Sequence, residues 1–284
     1  MNNRKFYTTT ASSLLFLLLL TGISSCKKQG DKNTDMHNTV ETTDNFAKNE
    51  AGTLVFDSVY WEKTTDVAKN GKVSVKIRYP YIKSEHHDIQ DSIFAWEKEM
   101  LESKDSKASF LELARECGAA LSDSLTKDMK SILEVYKEEE PKELTYDMNI
   151  SVDYEDNEYF TLVATTYTYY GGAHGSTIVC GQTFRKADGK RVGWELLSGY
   201  SAKELKKKIK HGLKGYFNIP SDAADSENQL MNSLMIDDEA FRNDFPLPEA
   251  TPYLSAKGVC IQYQQYEIAC YAAGMPECYI PVKK

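Results

Sequence analysis

Two kinds of hydrophobic pattern follow each other along this chain, and their order constrains the fold. In residues 72–79 apolar residues alternate with polar ones, as in a strand with one buried face that includes Val73 and Val75. Helical spacing then appears twice, in residues 89–100 and from about residue 107 to 137, before β-rich runs return. Because strands and helices come in blocks, the sequence predicts an α+β fold in which antiparallel sheets pack against helices.

Turn residues divide these blocks into elements. Residues 53–61 and 72–79 form the first predicted hairpin. Asn70-Gly71 supplies its turn, and Pro80 is predicted to end its second strand. A three-stranded meander is predicted next, with strands at residues 145–154, 159–169 and 176–185.

The C-terminal part predicts one strong helix, a shorter helix and three strands. Ser201 and Glu204 have the spacing of a capping box, which opens the strong helix. The lysine run at residues 203–210 is assigned to its solvated side. Its apolar face is Leu205, Ile209 and Leu213. The other predicted elements are a helix at residues 228–235 and strands near residues 253–254, 258–263 and 279–282.

The N-terminus has the pattern of a bacterial lipoprotein signal. Basic Arg4 and Lys5 precede an apolar run at residues 14–20. The sequence Ile23-Ser24-Ser25-Cys26 resembles a lipobox, in which the cysteine thiol is alkylated with diacylglycerol and the preceding peptide is removed. Cys26 is therefore the predicted lipid-attachment residue.

A lipid anchor at Cys26 would place the protein at the cell envelope, and the outer membrane is the expected membrane. Residues 1–25 would be the removed signal peptide, and the polar residues 26–52 would be a tether. A secreted protein and an uncleaved transmembrane anchor are the alternatives, but the apolar run at residues 14–20 is short for a membrane span. The leaflet remains open.

The charge of the chain limits its partners. The formal net charge of −8 becomes −10 when Arg4 and Lys5 are lost with the signal peptide. Nucleic acid and anionic lipid are therefore unfavourable partners. A cationic protein or glycan would be attracted, although acidic charge that only keeps the protein soluble is an equal alternative.

Five cysteines remain besides Cys26, in a compartment that permits disulfides. Cys117 lies in an apolar series at helical spacing, so it is predicted to stay unpaired and to pack as a small hydrophobe. The other four form one or two disulfides or stay reduced, and spacing does not decide between these. They are Cys180, Cys260, Cys270 and Cys278.

Motifs of known chemistry are absent from the sequence, which contains no G-x-S-x-G, H-E-x-x-H, Walker A or G-x-G-x-x-G. His86-His87-Asp88 is interpreted as a solvated loop before a helix, because adjacent side chains diverge and form a poor metal site. No metal, cofactor or catalytic residue is predicted. Exposed tyrosines could form a sugar-stacking or protein-binding face, but strand propensity explains most of Tyr167, Tyr169, Tyr170, Tyr263, Tyr266 and Tyr271.

One glycine-rich loop is the candidate functional segment. A glycine-flanked histidine could approach a substrate closely as a general base, with Ser176 and Tyr170 nearby in sequence. The preferred interpretation is structural: glycines allow a tight connection between strands, and the histidine bonds backbone to hold it. The residues of this candidate loop are Gly171, Gly172, His174 and Gly175.

Two segments resemble a known pair of domains. Residues 169–175 and 266–281 resemble the extracellular domain of RsiV-type anti-sigma factors, a domain of unknown function that also precedes the catalytic module of PdaC-type peptidoglycan deacetylases. The region from Val75 to Pro80 and the following helices are similar to the smaller module upstream of it. The resemblance implies a PdaC-like N-terminal module at residues 53–150 and an RsiV-like C-terminal domain at residues 151–284, the two small modules forming one compact body.

The resemblance also implies a binding function. RsiV-type proteins sense lysozyme by binding it, but we match neither a sigma-binding segment nor a deacetylase catalytic domain, so we carry over neither signalling nor catalysis. No binding residue of the family is transferred. Cys270 stands where the family often has proline, and a disulfide there could supply similar rigidity.

The sequence therefore predicts a non-enzymatic cell-envelope lipoprotein that binds a protein, with lysozyme as one candidate, or peptidoglycan or another glycan. The first alternative is an envelope enzyme that acts on polysaccharide through the His174 loop. The second is a purely structural lipoprotein. The oligomeric state stays open.

Overall fold

A computed structural model describes residues 54–83, 87–103, 109–136 and 142–283. The signal peptide, Cys26, the tether at residues 26–52 and His86 lie outside the described residues. All described residues fall within one compact unit. No helix among them is both long and apolar enough to cross a membrane.

A six-stranded sheet, here called sheet A, contains its strands in the order of the chain. The predicted hairpin and the meander are confirmed, and so is the α+β class. The sheet is not antiparallel throughout, because its second and third strands pair in parallel and are connected by a helical crossover. The strands are β1 Val55–Val67, β2 Gly71–Lys83, β3 Lys142–Glu155, β4 Tyr159–Tyr169, β5 Ser176–Arg185 and β6 Arg191–Val192.

Strand β2 does not end at Pro80, contrary to the prediction. Its pairing with β3 stops at Arg78, which lies opposite Asn149. Beyond that point β1 is the only neighbouring strand in the part of the chain that the structure describes, and Pro80 lies opposite Ser58. A proline lacks the amide hydrogen that a second neighbour would need, so it is tolerated where β2 becomes an edge strand.

Two helices form the crossover and cover one face of sheet A. They are α1 His87–Met100 and α2 Phe110–Val135, and Ser109 caps α2 through a capping box with Glu112. Gly118 lies so close to Trp61 of β1 that an added Cβ would overlap the indole ring. Tyr136 is 56% exposed, because the helix ends one residue earlier and not near residue 137 as the spacing predicts.

A second, three-stranded sheet, sheet B, follows in the C-terminal part. The Ser201 capping box and the buried apolar face of the helix that follows it are confirmed, whereas the short helix at Asp238–Asn243 was not predicted. The strands are β7 Tyr253–Ser255, β8 Gly258–Gln262 and β9 Glu277–Ile280. The helices are α3 Ala202–Tyr216, α4 Ser226–Ser233 and α5 Asp238–Asn243, with short 3-10 turns at Trp194–Leu197 and Tyr271–Ala273.

The elements stack in layers. Helices α1 and α2 pack on sheet A, strand β7 packs on β5 and β4 across the other face, and α3 packs on β9. The backbone N–H of Leu254 in β7 donates to Thr183 Oγ1 of β5 at 2.8 Å, which fixes the two sheets to each other. One core uses side chains from residues 59–184 and the second uses residues 197–280. Residue 150, where the sequence analysis divides the modules, lies inside β3.

All five described cysteines are free thiols, so the disulfide considered at Cys270 is absent. Cys260 lies opposite Tyr279, and Cys278 lies opposite Ile261, so the two thiols point to opposite faces of sheet B. Burial raises the pKa of Cys260 to about 11 and that of Cys278 to about 12. These thiols therefore behave as buried apolar groups. Cys117 is half-buried and unpaired, as predicted.

Candidate functional site

The glycines of the predicted functional loop have distinct structural roles. Gly171 and Gly172 have φ values of 88° and 96°, a region that side chains rarely adopt. Gly175 is buried against Tyr167, and an added Cβ would overlap the phenol ring. Tyr169 Oη donates to the Gly172 carbonyl at 3.0 Å and holds the loop from below. The connection between β4 and β5 is therefore tight because of its glycines, as predicted.

His174 lies exposed at the end of this loop and contacts two tyrosines from the C-terminal part. Its ring stacks on Tyr271, with centroids 3.7 Å apart and an interplanar angle of 19°. Nδ1 lies 3.0 Å from the Gly175 carbonyl, and Nε2 lies 3.3 Å from Tyr266 Oη. A carbonyl can only accept, so Nδ1–H donates to it and Nε2 accepts from the phenol.

The histidine and its two tyrosines, His174, Tyr266 and Tyr271, are called the aromatic cluster below. Tyr266 is 54% exposed and has a φ of 66°, in the left-handed region that is uncommon for tyrosine. Tyr271 Oη also donates to the Gly175 carbonyl at 3.1 Å. Sequence reasoning named these tyrosines but did not place them beside His174, because 92 residues separate His174 from Tyr266.

Side-chain amides hold the Tyr266 segment against the edge of sheet A. Gln264 Oε1 accepts from the Val179 N–H at 3.0 Å, and its Nε2 donates to the Val179 carbonyl at 2.8 Å. Gln265 Oε1 accepts from the Thr177 N–H at 2.9 Å. The glutamines therefore replace a neighbouring strand along β5, which leaves little freedom for Tyr266.

A half-buried acid, Glu267, completes this support. Glu267 Oε2 accepts from the Gln264 N–H at 2.7 Å, and Oε1 accepts from the Glu249 N–H at 2.8 Å. Burial raises the pKa of Glu267, while these two bonds oppose that rise. The carboxyl group of Glu267 thus accepts hydrogen bonds from backbone N–H groups and does not approach His174.

The chemistry available to His174 follows from its partners. In the described part of the chain, neither ring nitrogen bonds a carboxylate, a serine or a cysteine. Ser176 begins β5 and Tyr170 is exposed, but neither bonds the imidazole. The arrangement presents stacked rings and hydrogen-bonding edges to solvent, which suits binding.

The other sequence candidates do not join this cluster. His87 begins α1, and no group of three or more His, Cys, Asp or Glu that could hold a metal ion occurs among the described residues. Tyr263 is fully buried, and its Oη donates to the Pro246 carbonyl at 2.8 Å. A shallow pocket beside Leu54, Glu158 and Lys186 lies at the other end of β4.

Two family models match consecutive segments of the chain. The model described as Deacetylase PdaC matches residues 67–177. The model described as Protein of unknown function (DUF3298) matches residues 195–283. Both family domains are found in this chain. No curated protein matches it.

The aromatic cluster contains residues from both matched segments. His174 belongs to the PdaC segment, whereas Tyr266 and Tyr271 belong to the DUF3298 segment. The contacts described above therefore join the two segments at an exposed position. Ligand sites occur preferentially at such junctions.

Two solved structures of DUF3298 family proteins have a similar fold. One, from Bacteroides fragilis, has a TM-score of 0.62 at 16% sequence identity and covers 82% of this chain and 92% of that one. The other, from Pseudomonas aeruginosa, has a TM-score of 0.51 at 15% identity and covers 81% and 91%. At these identities the likeness is one of fold. The RsiV-type resemblance and the lipid anchor stay predictions.

Proposed function

We propose that this protein is a non-enzymatic, lipid-anchored protein of the bacterial cell envelope that binds a protein or a glycan through the aromatic cluster. The two family matches support an envelope-associated protein of unknown function. The lipobox pattern ending at Cys26 supports the anchor. Lysozyme, a cationic protein, suits the net charge of −8, and peptidoglycan is the glycan that an envelope protein meets.

The exposure of the aromatic cluster carries this proposal. Exposed tyrosine and histidine rings stack on sugar rings and anchor protein interfaces. The left-handed backbone at Tyr266 costs on the order of 1 kcal/mol, and such strain is typical of functional segments. Because Gln264 and Gln265 already hold this segment, a ligand would meet an ordered surface and would lose less entropy on binding.

The hydrogen bonds of His174 support a binding role over catalysis. A general base is oriented by a partner such as a carboxylate and lies beside a nucleophile or substrate proton. The partners of His174 are a backbone carbonyl and a phenol, both of which hold the ring in place. The imidazole therefore contributes a flat, oriented surface.

Replacing Tyr266 with asparagine should weaken ligand binding by about tenfold or more, the usual effect of removing an interface anchor. Asparagine tolerates the left-handed backbone, so the fold should be kept. Isothermal titration calorimetry with lysozyme and with soluble peptidoglycan fragments at moderate salt measures the effect. Tyr136→Asn is the matched control, since Tyr136 is 56% exposed at the end of α2. Absence of heat with both ligands, or equal affinities for the two variants, would contradict the proposal.

Replacing Cys26 with serine should move the protein from the membrane fraction to the soluble fraction, because the acyl chains attach to this thiol. Cell fractionation and metabolic labelling with a palmitate analogue measure the change. Cys270→Ser is the control, because Cys270 is an exposed free thiol that the anchor does not use. Labelling that persists in Cys26→Ser would refute the assignment of the anchor.

A further inference from the structure

Helix α3 concentrates positive charge in a chain whose formal net charge is −8. Glu204 is the only acidic residue between Ala202 and Tyr216. The lysines of the helix are Lys203, Lys206, Lys207, Lys208, Lys210 and Lys214. The sequence pattern predicts that this run lies on the solvated side of the helix. The ion pairs of the described residues refine that prediction.

Part of this charge is neutralised locally. Lys214 lies 2.6 Å from Glu227, and Lys206 pairs with Asp244. Glu204 accepts from the Ser201 N–H at 2.8 Å in the capping box and lies 3.7 Å from Lys283. The acidic groups around the helix are therefore already engaged.

The other lysines keep their charge uncompensated. Lys203 and Lys207 are exposed and have no ion-pair partner among the described residues. Lys208 extends over the Tyr200 ring, with Nζ 5.2 Å from the centroid, a contact that does not cancel its charge. Lys210 is the exception: partial burial lowers its pKa, the negative charge of Glu227 raises it, and the positive charges of Arg242 and of Lys214 lower it further.

The packing of α3 directs these lysines outward. Leu205, Ile209 and Leu213 are buried, and Gly212 lies so close to Cys278 of β9 that an added Cβ would overlap it. The helix is thus the outer layer on sheet B. Lys203 and Lys207 are four residues apart and share one helix face, whereas Lys208 lies about 100° around the helix from Lys207. Lys203 and Lys207 are called the basic face of α3.

We propose that the basic face of α3 docks on a bilayer surface that contains anionic phospholipids, and thereby orients the anchored body. The phosphate headgroups supply the complementary charge. This inference rests on the proposed lipid anchor, which would keep the body near the headgroups. The formal net charge of −8 by itself disfavours anionic lipid, so docking requires that the basic face, and not the acidic remainder of the chain, meets the headgroups.

Vesicle binding tests the proposal independently of the anchor. A chain that begins at residue 26 and carries Cys26→Ser keeps every described residue and has no acyl group. It should co-sediment at low salt with vesicles of equal parts phosphatidylglycerol and phosphatidylcholine, and not with phosphatidylcholine alone. Because its formal charge is negative, attraction to anionic vesicles requires a segregated basic surface. High salt should release it.

Charge reversal locates the surface. Lys203→Glu with Lys207→Glu should reduce partitioning by roughly tenfold or more, since lysines near an anionic surface contribute additively. Lys127→Glu with Lys130→Glu changes the net charge equally on exposed positions of α2 and should remain within about twofold of the parent chain. No sedimentation at low salt, or equal losses in both double variants, would overturn the docking surface. Failure of the anchor would show instead in the fractionation of the full chain.

Discussion

Replacing Gly181 with valine should destabilise the protein by about 3 kcal/mol, because overpacking a filled interior forces neighbouring side chains from their positions. Gly181 lies on β5 where β7 crosses, and an added Cβ would overlap the Tyr253 ring. That ring is 8% exposed, and its hydroxyl lies in a buried hydrogen bond with Gln262. The valine would therefore push sheet B away from sheet A.

The loss of contact between the sheets should be measurable in two ways. Urea denaturation gives the free energy of unfolding, and hydrogen exchange of the Leu254 amide reports its bond to Thr183. Gly215→Ala is the control, because nothing lies within 4 Å of the added Cβ on α3. Alanine there should stabilise the helix by about 0.5–1 kcal/mol. Wild-type stability in Gly181→Val would mean that Tyr253 can move aside and that the sheets are loosely packed.

Replacing Glu97 with methionine should raise the free energy of unfolding at neutral pH by about 1–3 kcal/mol, the usual cost of a buried polar group without a partner. Glu97 of α1 is 0% exposed, and neither carboxyl oxygen has a hydrogen-bond partner among the described residues. Burial raises the pKa of this carboxyl well above its usual range, so the folded state holds the proton to a higher pH than the unfolded chain does. Methionine has a similar volume and no polar group to desolvate.

The pH dependence of stability identifies the cause. Above the ordinary glutamate pKa the unfolded chain releases the proton, whereas the folded protein keeps it because its pKa is raised. The folded state then binds more protons than the unfolded state, so this group lowers stability as pH rises toward its folded pKa. The slope is at most about 1.4 kcal/mol per pH unit.

Denaturation of the wild type and Glu97→Met should therefore be compared from about pH 5 to pH 8. The stability difference in favour of the variant should grow with pH. Glu134→Met on α2 is the control, because that carboxylate is exposed. Its difference from the wild type should stay nearly constant. A constant difference for Glu97→Met as well would show that Glu97 is ionised inside the fold.

Local signals were sufficient to predict much of the secondary structure. The capping box at Ser201 and the apolar face of α3 depend on residues within one or two turns, and the structure confirms them. The strands of the meander also agree, because alternation and turn residues lie within each hairpin. The prediction that Pro80 ends β2 was wrong, because a proline is tolerated within this strand only where pairing between β2 and β3 has stopped.

The candidate site was predicted in part for the same reason. Gly171 and Gly172 predicted a tight loop, because glycine can adopt backbone angles that other residues rarely adopt. The structure confirms this, since both glycines have positive φ values. The partners of His174 come from the C-terminal part and are held by Gln264 and Gln265 against β5. Nothing near His174 in the sequence encodes that contact.

The sequence by itself determined the α+β class, the start of α3 and the glycine loop, because short-range sterics and hydrogen bonding decide these features. Only the tertiary structure decided the parallel pairing of β2 with β3, the aromatic cluster and the outward basic face of α3. Each of these features depends on which surfaces, distant from each other in the sequence, are buried against one another. Burial of apolar area is additive and non-directional, so a sequence pattern identifies the buried face of an element but not the element that covers it.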